Sequence, residues 1–236
     1  MSSPPQVSLH VWRVPRARLG AAFLRMARDP GRVRAVPGVR FAKFLGTGTG
    51  RSFGPLDADL LRFAAVIVST APLGDALAPW ERIASSSASL DLSPVHSVGT
   101  WSGQAPFAAS GDKPDGMVVA LTRARLRPSR ALTFWKAIPA VVGELDAAPG
   151  LLARFGVGEA PIGWQGTVTV WRDAADLTAF AYRQPEHRAV IARTPKDRWY
   201  AEELFARFAV RGVEGDRSVL GWVNEDWVEE KGRAQR

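Results

Sequence analysis

The sequence contains no cysteine. That absence excludes disulfides, zinc–thiolate centres, iron–sulfur clusters and a thiolate-ligated haem. Histidine is nearly as scarce: His10, His96 and His187 are the only three in 236 residues. They lie far apart in the chain, and no two stand at metal-binding spacing. There is no Walker A sequence and no G-x-S-x-G elbow. "GTGTG" (Gly46 to Gly50) lacks the spacing and flanks of a dinucleotide fingerprint and reads as a turn after a strand. No apolar run approaches the roughly 20 residues of a membrane helix. The longest, "FAAVIV" (Phe63 to Val68), suits a buried strand. "MSSPPQ" has neither a charged n-region nor an apolar h-region, so no secretory signal is expected. The cytoplasm is the expected compartment.

What is present is an ordinary soluble balance, 46% hydrophobic and 23% charged, enough for a sizeable core. The net charge is +8, but the arginines are spread along the chain and form no long basic block. Nucleic acid is therefore not an expected partner. The basic balance suits an anionic surface instead: lipid head groups, an acidic redox protein or the carboxylates of a cofactor. Nine tryptophans suit either the core or a large apolar pocket.

The chain repeats itself. "VPGVRFAKFLGTG" (Val36 to Gly48) is similar to "APGLLARFGVG" (Ala148 to Gly158). Each follows a helical pattern, "LGAAFLRMARDPGRVRA" or "SRALTFWKAIPAVVGELDA". Each precedes a strand and a second helix: "RFAAVIVSTAP" then "GDALAPWERIASS", and "WQGTVTVWRDA" then "ADLTAFAYRQPEHRAVIART". "SLHVWRV" and "MVVALTRARL" open the two halves as strands, and "HSVGTWSG" and "ELFARFAV" close them. The order β-α-β-β-α-β is ferredoxin-like. A sheet with helices on one face must cover the other. Two tandem halves do so by closing an intrachain dimeric α+β barrel. The expected fold is α+β, with halves at 1–110 and 111–212 and a charged tail at 213–236. "APFAASGDKPDG" (Ala105 to Gly116) reads as a linker. Trp222 and Trp227 are expected to dock the tail or guard a pocket mouth.

In "GTVTVWR" the side chains of Val168 and Val170 oppose those of Thr167, Thr169 and Trp171. If Thr and Trp line the barrel, they point to a ligand there. His10 shares a face with Ser8 and Trp12; if that face is the interior, His10 is a donor to such a ligand. His96 opens the closing strand of the first half. Both are weak catalytic candidates, more plainly structural. His187 falls with Val190, Ile191 and Thr194 on one helical face, opposite Arg188 and Arg193. Spacing alone leaves two readings: a half-buried core histidine, or the axial ligand of a haem set in an apolar wall.

The segment Gly166 to Val210, with its "FAYRQPEHRAVI" and "RWYAEELFARF" runs and the upstream "PGLLARFGVGEAPIGWQGTVTVW", resembles the spheroidene monooxygenase family of carotenoid ketolases. "PGVRFAKFLGTG" and "HSVGTWSG" extend the resemblance over most of the chain. It implies an O2-dependent monooxygenase that hydroxylates and then ketolates a hydrophobic, carotenoid-like substrate with electrons from reduced ferredoxin. It implies haem b, and hence iron. Chlorite dismutases and aldoxime dehydratases carry haem on this scaffold, with the axial histidine on a helix of a ferredoxin-like half. Carried over, that makes His187 the metal ligand, with Arg188, Arg193 and Lys196 as anchors for the propionates. A transient contact with a membrane surface is also implied, since a carotenoid must be drawn from lipid. Two rivals remain open on the same scaffold. One is a cofactor-free monooxygenase of the antibiotic-biosynthesis type, with His10 or His96 as base. The other is a non-catalytic haem or lipid carrier.

Overall fold

Strand-forming runs rich in Val, Phe and Leu pair here into one closed antiparallel barrel. The structure, a computed structural model, describes residues 5–51, 57–130, 145, 148–159, 164–183 and 199–222. The first half contributes β1 (Gln6–Arg13), α1 (Leu19–Arg34), β2 (Val39–Gly48), β3 (Ala58–Ser69), α2 (Ala78–Glu81) and β4 (Ser86–Gly99). The second contributes β5 (Val118–Leu126), β6 (Leu151–Gly158), β7 (Trp164–Trp171), α3 (Ala174–Arg183) and β8 (Tyr200–Gly215). Around the barrel the order is β1-β3-β2-β6-β7-β5-β8-β4. Each half therefore runs last strand, first, third, second, the ferredoxin-like order, and the expected α+β barrel is the fold observed.

The two seams between halves differ in length. β4 and β8 pair from Ala88↔Gly215 to Gly99↔Leu204. β2 and β6 meet only at Gly46↔Gly158, Thr47↔Val157 and Gly48↔Gly156. Gly99 ends the long seam at φ +95°, and a Cβ there would stand 2.1 Å from the Glu203 carbonyl oxygen, so only glycine lets the strands close.

Strand alternation divides the apolar side chains into three layers. The barrel interior holds Leu9, Val11, Leu45, Val66, Leu90 and Phe155, among others. Outside the first half, Trp12, Phe44, Phe63 and Trp80 pack beneath α1. Outside the second, Val118 and Trp171 pack against Leu177 and Phe180 of α3. Val168 and Val170 belong to the interior and Trp171 to the helix side. The expected Thr and Trp lining of the interior is thus reversed. An eight-strand barrel is just wide enough for its own side chains to fill, and here branched and aromatic residues fill it.

Two further expectations need correction. The second helix of the first half is one turn, preceded by a 3-10 turn at Gly74–Leu77. Pro79 suits the start of that turn. Its chain then breaks toward β1, where the Ser85 N–H donates to the Arg13 carbonyl at 2.8 Å. And β4 begins at Ser86, ten residues before His96. In "SSASLDLS" the residues Ala88, Leu90 and Leu92 alternate inward, which makes the run a strand despite its serines.

Each mouth of the barrel is closed by the segment that follows the last strand of a half. After β4, Trp101 and Phe107 enter the interior core. Phe107 meets Phe208 edge-on at 4.9 Å, so the linker also serves as a plug. After β8, Val219 and Leu220 join the same core and Trp222 packs against it, with Arg217 stacked over its indole at 5.4 Å. Trp222 therefore docks as expected; Trp227 lies outside the described residues.

Candidate functional site

His10 and His96, the two histidines among the described residues, do not converge: His10 pairs with Ser89, seven positions before His96 on β4. His10 lies on the outer face of β1, alongside Trp12, and so does not point into the barrel. Its Nε2 is 3.0 Å from the Ser8 Oγ, and its ring stacks on Trp12 at 5.8 Å. Burial lowers its pKa from 6.5 to about 4, although Glu81 and Asp91 pull the other way. It is a neutral, stacked imidazole at pH 7, and the condition for its acting as a donor inside the barrel is not met. His96 is exposed on the outer face of β4, directly opposite Arg207 of β8. His187, Arg188, Arg193 and Lys196 lie outside the described residues.

The outer face of the second half is where small and apolar side chains meet solvent. Thr122 of β5 stands opposite Thr167 of β7 and Phe205 of β8, and Phe205 opposite Val98 of β4. Beside that row, Ala120 stands opposite Thr169 and Arg207. Directly opposed residues share a face, so these side chains form one continuous wall. Val98 is 56% exposed and Phe205 39%. The wall is flat because Ala and Thr are short, and its apolar surface is uncommon for exposed sheet. α3 covers the adjoining part of the same face through Leu177 and Phe180, with Phe180 5.2 Å from Trp171. The Trp171 Nε1–H is held at 2.8 Å by the Thr169 hydroxyl.

One carboxylate shares this wall. Glu203 precedes Phe205 by two positions on β8 and faces the same way. It is half-buried, and burial raises its pKa above the ordinary carboxylate value. A carboxyl held toward its protonated form can donate as well as accept a proton. The wall as a whole is flat and largely apolar, with the Arg207 cation at its margin and the Glu203 carboxyl, raised by burial, on the same face.

Inside the barrel mouths lie two buried arginines that sequence reading passed over. Arg123 projects inward from β5 and bonds to the carboxylates of Glu202 and of Glu159, the latter at 2.9 Å. Glu159 also accepts from the Trp101 Nε1–H at 2.6 Å and from Lys43 Nζ at 2.7 Å. Burial alone would raise the Glu202 carboxyl. The Gly103 N–H, the Arg123 guanidinium and the Thr100 hydroxyl outweigh it and bring the pKa to about 2. At the other mouth, Arg62 donates to the Thr47 hydroxyl at 3.1 Å and to the Val219 carbonyl at 3.2 Å, over the Phe155 ring. Each arginine thus ties a plug to the barrel wall; these networks are charge-paired and structural. The available signal was a charge at an inward strand position, as in Val119, Leu121, Arg123.

No family model matches the sequence. The chain is 33% identical over 200 residues to the spheroidene monooxygenase of Rhodobacter capsulatus, covering 80% of this chain and 81% of that protein. It is 33% identical over 186 residues to the spheroidene monooxygenase of Rubrivivax gelatinosus, covering 76% and 72%. A solved aldoxime dehydratase in complex with butyraldoxime superposes with a TM-score of 0.53 at 10% identity, covering 87% of this chain and 79% of that one. That likeness bears on the fold alone.

Proposed function

The chain belongs to the spheroidene monooxygenase family, and from that premise we propose a haem-dependent monooxygenase that hydroxylates a carotenoid-like substrate. The overall balance is RH + O2 + 2e− + 2H+ → ROH + H2O, with electrons from an external donor such as reduced ferredoxin. A second round on the same carbon gives a gem-diol that loses water to a ketone.

The observation that carries this reading is the half-exposed wall of Ala120, Thr122, Thr167, Phe205 and Val98. A flat apolar wall with the Arg207 cation at its margin suits a planar apolar group with anionic substituents, and a chain without cysteine leaves histidine as the ligand such a haem would take. The candidate axial ligand, His187, stands four positions beyond the end of α3 in sequence, with Arg188, Arg193 and Lys196 following as anchors for anionic groups. Haem, when bound, would supply the one-electron activation of O2. The chain's own residues do the rest. Phe205, Val98 and Thr122 orient the apolar substrate and displace water from its reacting end. Glu203 holds a proton at its side-chain carboxyl and releases it where oxygen is reduced. His10, neutral and stacked on Trp12, lies on the outer face of the first half.

The test is an absorption spectrum of protein produced with a haem precursor. The wild type shows a Soret band, and His187→Ala shifts or loses it. No Soret band in the wild type, or turnover by haem-free protein, would overturn the cofactor assignment.

A further inference from the structure

Helix α1 is apolar on two faces. Its inner face, Ala22, Met26, Asp29 and Val33, packs on the sheet or is half-buried there. Leu24 stands outward at 50% exposure, and beside it Phe23 is 53% exposed although its ring meets Phe63 of the sheet edge-on at 6.0 Å. A surface helix in water ordinarily turns polar side chains outward, so this half-exposed apolar pair asks for a partner. These are two of the five large hydrophobic residues exposed among the described residues.

The charge around them has one sign. From Arg16 to Arg34 the sequence has six arginines and one acid. That acid, Asp29, is 4% exposed and already paired with Arg25 and Arg32 at 3.7 and 3.5 Å. Arg16, Arg18, Arg28 and Arg34 are exposed. An apolar pair flanked by arginines, on a helix whose one acid is buried and paired, matches the boundary between anionic head groups and acyl chains, which offers negative charge above and hydrocarbon just below. A helix that lies flat there buries Phe23 and Leu24 and leaves its arginines at head-group level.

We infer that α1 forms a docking surface for an anionic lipid bilayer, with Phe23 and Leu24 inserted and Arg16, Arg18 and Arg28 on the head groups. This goes beyond the catalytic reading and does not depend on the cofactor, because lipid binding is read without turnover.

The experiment is sedimentation of the full chain with vesicles of phosphatidylglycerol and phosphatidylcholine, against vesicles of phosphatidylcholine alone. Binding to the mixed vesicles is expected, weakening as salt rises. Phe23→Ser/Leu24→Ser should lower vesicle affinity tenfold or more. Arg18→Glu should lower it several-fold, whereas Arg211→Glu, the same change in net charge on exposed β8, should leave it nearly intact. Circular dichroism confirms that the variants are folded, and Arg18→Glu keeps the test informative if the double variant is not. Equal loss with Arg18→Glu and Arg211→Glu would overturn the local surface in favour of net charge. No binding to anionic vesicles, or a dimer in velocity sedimentation that Phe23→Ser/Leu24→Ser dissolves, would overturn the lipid assignment.

Discussion

Glu202→Gln is the substitution whose effect can be worked most fully from the structure. The carboxylate accepts from Arg123, from the Gly103 N–H at 2.7 Å and from the Thr100 hydroxyl at 3.1 Å. Its pKa falls from 4.5 to about 2. By linkage that drop corresponds to ~3 kcal/mol of stability at neutral pH before solvent screening. The side chain retains some access to water at the mouth, and Glu159 still faces Arg123 in the variant. A net loss of ~1–2 kcal/mol is therefore expected. For a domain of this size that lowers Tm by roughly 2–8 °C. The sign with pH follows from a depressed carboxylate. Its stabilisation is complete above 4.5, the unfolded value, and is lost as pH falls through the folded value of about 2. Thermal melts followed by circular dichroism at pH 7, 5, 4 and 3 should show wild type and variant converging only below about pH 4.5. A variant as stable as the wild type at pH 7, or a gap that ignores pH, would refute the stabilising role of the Arg123–Glu202 pair.

His10→Phe should flatten the acid limb of the stability curve. Its folded pKa of about 4 lies below the unfolded 6.5, so the wild type loses stability as pH falls through that window while the unfolded chain takes up the proton. Urea titrations at pH 7 and pH 4.5 should show a smaller difference for the variant than for the wild type. Phe107→Ala empties the plug of one barrel mouth, and ~3–5 kcal/mol should be lost in urea denaturation, far more than removal of a linker side chain would cost. Glu203→Gln should cut turnover by ~100-fold with little change in substrate affinity, and the activity–pH profile should lose its upper limb, because a carboxyl raised by burial no longer supplies the proton.

The repeat of two ferredoxin-like halves was legible because strand periods recur in the same order, and the barrel follows from two sheets that each need a cover; most of the helix expected in "SRALTFWKAIPAVVGELDA" lies outside the described residues. What escaped was set by tertiary closure. The serines of "SSASLDLS" mask a strand whose inward positions are Ala88, Leu90 and Leu92. Alternation in "GTVTVWR" separates two faces but does not say which one a barrel encloses, and the valines went inside. Phe107 stands in a Pro- and Gly-rich run that gives no periodic signal, and only the shape of the mouth draws it in. The wall around Thr122 and Phe205 is built from four strands distant in sequence. No local pattern joins Val98 to Phe205 until β4 and β8 pair. His187 remains where resemblance placed it, outside the described residues, and its role is the proposal made above.

Labelled oxygen tests the central claim most directly. The full chain, loaded with haem and supplied with a carotenoid, reduced ferredoxin and 18O2, should give a hydroxylated product carrying one 18O atom, detected by mass spectrometry before any exchange at a ketone. Product labelled from H2 18O under 16O2, or an intact carotenoid with no oxygen consumed, would contradict a monooxygenase.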